Sequence, residues 1–464
     1  MLFPTVTFAL FFPPVLLAAW LLAPRPLRWK LFLLAASYVF YAWWNWRFCF
    51  LLAGSTVMNQ VFAVALALRR DRADPTIRYV RWAAVAANLA VLGWFKYYGF
   101  FVTSVATTLR DLGVDVSPQL VQVALPVGIS FFTFQALSYV IDVGRDVLDP
   151  APLLDVAVYL SFFPHLVAGP IVRAAEFLPQ LRRRPDPTRV DSSTAFWLIT
   201  KGLFKKVVIA SYLSTALVDS VFATPRAHSA PQVLAGIYGY AIQIYADFSG
   251  YTDIAIGLAL LLGIRFPENF DRPYVAASLQ EFWRRWHMTL SRWLRDYLYI
   301  PLGGNRRGTR RTYVNLMLTM LLGGLWHGAA WTFVVWGGIH GIGLAVERRY
   351  GHVRAPKWVQ QLVTFHIVCL AWVFFRAETF TGARDVLWRL ATGWTGDLRV
   401  DRVVVLTIVA ALAVQFVPRE AGRRALVVFS HLAPAAQAAA LASGLVVIDV
   451  LGPAGVAPFI YFRF

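Results

Sequence analysis

The chain has 464 residues, 58% hydrophobic and 15% charged, with a mean hydropathy of +0.57. Soluble domains carry about 45–50% apolar and about 25% charged residues, so a water-soluble enzyme is excluded, as is a disordered chain. The 44 basic and 25 acidic residues give a net charge of +19, but the cations cluster in short segments between apolar runs, where retention of Lys and Arg in the cytoplasm explains them without nucleic acid.

Residues 1–22 have no basic leader and no small-residue cleavage site, so they are expected to stay as a membrane segment. The basic stretch 24–30 (PRPLRWK) follows at once, which places that loop in the cytoplasm and the N-terminus outside. Further apolar stretches start near residues 31, 52, 82, 121, 154, 194, 232, 312, 328, 358, 402 and 425, and about 10–13 transmembrane helices are expected from their lengths. Basic segments at 69–81, 181–189, 305–311 and 347–357 read as cytoplasmic loops. No stretch has the composition of a separate soluble domain, so residues 1–464 are taken as one membrane domain. The two matching halves of a repeat-built transporter are not visible. Cys49 and Cys369 both lie in apolar runs and suggest neither a disulfide framework nor a metal site.

Residues 275–300 (VAASLQEFWRRWHMTLSRWLRDYLYI) do not read as a span. Trp283, Trp286, Trp293 and Tyr297 alternate with Arg284, Arg285, Arg292 and Arg295. Each arginine at mid-bilayer costs about 2.5–3.5 kcal/mol on insertion scales, so this helix lies at the interface or lines a polar cavity. Interfacial anchoring accounts for the Trp and Arg residues and leaves His287 over.

Residues 322–343 (LGGLWHGAAWTFVVWGGIHGIG) pair small residues four apart, Gly324 with Gly328 and Gly337 with Gly341, which permits close helix approach in lipid. His327 lies within this apolar stretch, and an ionisable group inside a membrane is by default a functional hypothesis. His340 comes thirteen residues later, about 220° round a continuous helix, so the two are not expected to share one site.

Asp247 and Asp253, in YADFSGYTD, read either as a hydrogen-bonded structural pair or as a carboxylate that orients a histidine. His165, beside Pro164 and a Gly-Pro break, is expected to satisfy carbonyls freed by a broken helix.

The sequence contains no HxxxH, HExxH or CxxC, so no metal site is expected. There is no Walker loop and no GxSxG elbow. GGNRRG at 303–308 reads as a topology signal or as a nest for phosphate. Buried histidines remain. A neutral imidazole could take a proton from a hydroxyl attacking an acyl group, an effect worth about 10²–10⁴-fold, while a second could stabilise the developing oxyanion. A proton-coupled transporter is the competing reading.

At these residues the sequence resembles the membrane-bound O-acyltransferase (MBOAT) family, and within it the bacterial alginate O-acetylation branch. The resemblance is carried by LPVGISFFTFQALSYVIDV (125–143), FFPHLVAGPIVR (162–173), QIYADFSGYTDIAIG (243–257), EFWRRWHMTLSRWLRDYLYIPLGG (281–304), LLGGLWHGAAWTFVVWGGIHG (321–341) and FIYFRF (459–464). It implies an all-α membrane fold, with spanning, re-entrant and interfacial helices around a central tunnel and a catalytic core at about 121–345. His327 would be the general base. His287 stands where many eukaryotic relatives carry Asn and bacterial polymer-modifying members carry His, and would be its positioning or carbonyl-polarising partner. Trp283, Trp286, Trp326 and Asp247 become candidates for lining the tunnel, and Arg306 and Arg307 for holding donor phosphate. The resemblance further implies acetyl-CoA as cytoplasmic donor, no bound cofactor, a bacterial inner-membrane location among lipids, and an extracytoplasmic acetyltransferase partner that completes O-acetylation of an exopolysaccharide. Within the family the alternatives are the same chemistry on another acceptor, such as peptidoglycan, cellulose or a secondary metabolite glycan, and D-alanyl transfer from a small carrier protein.

Overall fold

The computed structural model describes all residues except 72–73, 117–120, 122, 352–353, 398, 454, 456–458 and 461–464. The last four residues of the FIYFRF motif therefore lie outside the described residues. Every regular element among the described residues is helical, and the chain divides into two compact units, residues 1–190 with 261–266 and residues 191–260 with 267–464.

The first unit contains α1 (Val6–Leu22), α2 (Pro26–Asn45), α3 (Arg47–Asp71), α4 (Ile77–Asp111, with a π-helical stretch at Gly93–Tyr97), α5 (Ile129–Gly144), α6 (Leu153–Ser161) and α7 (Ala174–Arg182). Thr5 starts α1 by accepting the Phe8 N–H at 3.3 Å. The basic stretch 24–30 is mostly helix rather than loop: Pro26 opens α2, where its missing N–H costs nothing, and Lys30 reaches Asp155 of α6 at 2.6 Å. All sixteen residues of α5 are buried, the polar Ser130, Thr133, Gln135, Ser138 and Asp142 included. It packs on α3 and α4. Gly128 precedes it at φ +78°, where a Cβ would collide with the Leu166 carbonyl, so only glycine fits.

His165 performs the expected repair. Its Nε2–H donates to the Tyr159 carbonyl at 2.7 Å in the last turn of α6, while the Phe163 N–H turns away to Ser37 Oγ.

The second unit contains α8 (Ser192–Ala223, with π-helical stretches at Phe204–Ala210 and Ser214–Val218), α9 (Ala230–Leu261), α10 (Leu279–Arg285), α11 (Met288–Leu294), α12 (Thr309–His327), α13 (Trp331–Tyr350), α14 (Lys357–Arg376), α15 (Phe380–Thr392), α16 (Arg402–Phe416), α17 (Arg419–His431) and α18 (Pro434–Leu451). Helices α8 and α9 meet backbone to backbone at Gly202 and Gly250, and α12 meets α13 at Gly324 and Gly337. Both contacts use the small-residue packing of helices in lipid.

Among the described residues five helices, α3, α4, α8, α14 and α18, are long and apolar enough to cross a membrane, or six spans if α16 and α17, bent by 91° at their junction, form one. The chain is a multi-pass membrane protein. This count is lower than ten to thirteen because other apolar stretches fold as shorter helices such as α1 and α5, or carry the polar residues that build the site described next.

Candidate active site

The segment 275–300 is not one helix. Ser278 caps α10 by accepting the Glu281 N–H at 3.1 Å, and the Glu281 carboxylate returns to the N–H of Ala277, one residue before the cap, at 2.8 Å. Burial alone would raise the Glu281 pKa, but the Ala277 N–H and the Arg285 guanidinium, at 2.8 Å, hold it below the usual range. Glu347 of α13 accepts the N–H groups of Leu279 and Gln280, a carboxylate at a helix N-terminus. After Arg285 the chain breaks. His287 stands at φ +43°, ψ +54°, a left-handed conformation that is costly for a residue with a Cβ, and α11 starts beyond it.

Asn269 holds that break in place. Its side-chain Oδ1 accepts the Thr289 N–H at 3.1 Å, the Thr289 hydroxyl at 2.9 Å and His287 Nδ1 at 3.2 Å, and its backbone carbonyl accepts the Met288 N–H at 2.9 Å. A backbone N–H can only donate, which identifies the accepting atom as oxygen. His287 Nδ1 therefore carries the proton, and Nε2 presents a lone pair. Nε2 is buried and has no hydrogen-bond partner among the described residues.

The site pairs two imidazoles. The His287 and His327 rings lie 6.5 Å apart, and Trp326 packs against both, 6.0 Å from His287 and 5.0 Å from His327. Phe248 of α9 meets His287 edge-on at 4.7 Å, and Phe270 stacks on it at 6.4 Å. Trp336 of α13 and Phe375 of α14 close over His327 at 5.0 and 5.3 Å. The histidines are thus enclosed by aromatic rings in a low-dielectric setting, where hydrogen bonds and charges count for more than in water.

Helix α12 ends at His327, and Gly328 adopts extended backbone, so the chain folds back into α13. A Cβ at Gly328 would strike the Phe333 ring, and one at Gly337 would strike the Met320 carbonyl. This reversal overturns the expectation drawn from a continuous helix. His340 comes back beside the site, with Trp336 touching His327 on one side and His340, also at 5.0 Å, on the other.

The other sequence candidates separate. Trp286 is buried among Phe270, Phe282, Tyr274 and Trp372. Asp247 forms a buried ion pair with Lys206 of α8, and its Oδ2 accepts the Ile460 N–H at 2.8 Å. Asp253 pairs with Lys205 at 2.7 Å and Lys201 at 3.2 Å. The two aspartates thus bind lysines of a neighbouring helix, not each other, because α8 places Lys201, Lys205 and Lys206 along its contact with α9.

A cavity of about 410 Å³ opens beside α10 and α11. Arg284, Arg292 and Arg295 line it with Trp283, Met288 and Leu316. Arg306 and Arg307 do not; they are exposed in the turn before α12. Among the described residues no group of three or more His, Cys, Asp or Glu could hold a metal ion. The sequence reading missed Asn269, Phe248, Trp336 and Phe375. Asn269 lies in a loop with no periodic pattern, and the rings resemble any other apolar residues of their helices.

A helix interrupted at His287, a buried histidine pair and glycine-packed apolar helices are the features this membrane chain builds from its apolar sequence. The membrane-bound O-acyltransferase family matches residues 94–383, and the chain belongs to that family. It is 44% identical to the probable alginate O-acetylase AlgI of Pseudomonas aeruginosa over 399 residues, covering 84% of this chain and 74% of the relative. It is 39% identical to the peptidoglycan O-acetyltransferase of Helicobacter pylori, covering 83% and 79%. Similarity to the teichoic acid D-alanyltransferase of Bacillus subtilis is lower, 27% over 54% of this chain and 69% of that protein. The chain is an AlgI-like O-acyltransferase, which removes the transporter reading.

Proposed function

We propose that this enzyme takes an acetyl group from cytoplasmic acetyl-CoA and delivers it across a bacterial inner membrane to an extracytoplasmic acetyltransferase, for O-acetylation of an exopolysaccharide such as alginate. The observation that carries the chemistry is the enclosed His287–His327 pair, 6.5 Å apart. His327 acts as general base: it takes the proton of an acceptor hydroxyl as that oxygen bonds to the acetyl carbonyl carbon. The thioester bond then breaks and its sulfur leaves as thiolate, which the protonated imidazole neutralises. His287, with Nδ1–H donated to Asn269, has a lone pair at Nε2 and no proton there for a carbonyl oxygen. That tautomer supports a positioning role, in which the pinned His287 ring holds Trp326 and His327 in place through its ring contacts at 6.0 and 6.5 Å. No cofactor takes part in this scheme.

The acceptor rests on the relatives' names, and the Helicobacter relative favours peptidoglycan as a second reading. One experiment addresses both. Ester-linked acetate is measured by NMR on secreted polysaccharide and on purified peptidoglycan from a deletion strain complemented with wild type or His327→Ala, at equal membrane levels. Acetate lost from the polysaccharide with unchanged polymer yield is the expected result. Loss confined to peptidoglycan transfers the assignment to the second reading, and acetate retained on both removes His327 from the chemistry.

A further inference from the structure

Among the described residues three with a Cβ stand at positive φ, and two of them flank one short backbone pairing: Arg272, at φ +44° and ψ +63°, and His287. The segment 269–271 runs alongside 285–288. The Asp271 N–H donates to the Arg285 carbonyl at 2.9 Å, and the Met288 N–H to the Asn269 carbonyl at 2.9 Å. So short a pairing is marginal by itself, and left-handed residues persist only where their surroundings over-determine them.

Asp271 supplies what the backbone lacks. Its carboxylate accepts Arg285 Nη1 at 3.0 Å and Arg419 Nε at 2.8 Å, and Arg419 Nη2 meets its second oxygen, a forked pair. Arg285, at the end of α10, also reaches the Asp271 carbonyl at 3.2 Å and is held from its other side by Glu281 at 2.8 Å. Arg419 opens α17, and Arg272 donates to the Val417 carbonyl at 2.9 Å, in the corner where α16 bends into α17. One carboxylate thus joins three pieces of chain: the loop that carries Asn269, the end of α10 before His287, and the α16–α17 corner. It sits two residues from Asn269, and Arg285 sits two residues from His287. The contact therefore sets the spacing across which Asn269 Oδ1 accepts the His287 Nδ1–H.

We propose that Asp271 is a positioning residue for the acyl transfer, with Arg419 of the α16–α17 corner as the outer half of its clamp. Asp271 touches no reacting atom. It keeps the 269–271 loop against the break after α10, so that the His287 ring stays on Asn269 and keeps its contacts with Trp326 and His327. This assignment rests on the histidine chemistry proposed above.

The test uses the full chain in lipid nanodiscs, with acetyl-CoA as donor and an alginate oligosaccharide as hydroxyl acceptor. Thiol release per folded molecule is measured beside a thermal melt for wild type, Arg419→Gln, Arg419→Lys, Asp271→Ala, the Arg419→Gln/Asp271→Ala double variant and Arg423→Gln. Arg419→Gln loses the forked pair and should lower kcat about fivefold, with KM for acetyl-CoA within about twofold of wild type. Arg419→Lys keeps a charged donor without the fork and should recover part of that loss. Asp271→Ala releases Arg285 as well and should lower kcat about tenfold or more. The double variant should match Asp271→Ala, because Arg419 acts through that carboxylate. Arg423→Gln, which alters an exposed arginine about one turn further along α17, should behave as wild type. A folded Arg419→Gln with wild-type kcat overturns the clamp even if its melting temperature falls, and so does an equal loss of kcat in Arg423→Gln. If Asp271→Ala fails to fold, Arg419→Gln decides, since that side chain is 43% exposed. Wild type inactive with acetyl-CoA overturns the proposed function, and the clamp with it.

Discussion

Removing the Asn269 side chain should disable the enzyme without touching either histidine. In Asn269→Ala, Oδ1 disappears and leaves the His287 Nδ1–H and the Thr289 N–H without their acceptor at a buried site; the Thr289 hydroxyl can rotate to another. Each orphaned buried donor costs about 1–3 kcal/mol, so about 2–6 kcal/mol of stability should go. The Met288 N–H bond to the Asn269 backbone survives, so the break between α10 and α11 should persist. With its ring no longer pinned, His287 can rotate or move its proton to Nε2. Partners that orient metal-bound histidines are worth about 10–100-fold, and kcat per folded enzyme should fall by a comparable factor here. Asn269→Asp retains an acceptor at the same reach and should recover most of the loss. Release of the thiol from acetyl-CoA, with an acceptor hydroxyl supplied, is assayed in nanodiscs, normalised to folded protein, beside a thermal melt. Wild-type kcat per folded molecule in Asn269→Ala would refute the reasoning, leaving Asn269 with a purely structural role.

Substitutions at two helix contacts test the packing of the second unit. Gly337→Ala places a methyl against the Met320 carbonyl, whereas Gly338→Ala meets only Leu321 Cδ2, at 3.7 Å. The first should lower stability by about 1–3 kcal/mol and the second by no more than about 0.5 kcal/mol, read from melting in detergent; equal melting temperatures would contradict the backbone contact. Lys206→Met strands the buried Asp247 carboxylate and should cost about 3–5 kcal/mol, with partial rescue in Lys206→Met/Asp247→Asn. If Asp247→Asn instead keeps full stability and loses kcat, Asp247 belongs to the substrate path, not to the packing of α8 on α9.

The sequence by itself determined the environment and the family. Apolar excess with sparse charge dictates a multi-pass membrane chain, because a spanning segment must satisfy its own backbone groups and exclude charge. Gly324 and Gly337 announced a close helix contact, and one formed. His327 and His287 stood out because ionisable groups are rare in such surroundings, and the fold brings them together. Tertiary structure decided the rest. Whether residues 328–330 continue or end a helix is a balance of local packing, and the end chosen there brings His340 back toward His327. Asn269 reaches His287 eighteen positions later, from a loop that precedes α10 to the break that follows it, and no periodicity carries information across such a change of structure. Asp247 and Asp253 met lysines, and the arginines that line a cavity came from α10 to α11 and its π-helical extension, not from 305–311. A charge in low dielectric is settled by whichever opposite charge the neighbouring helix supplies, and that neighbour is chosen only when the helices pack.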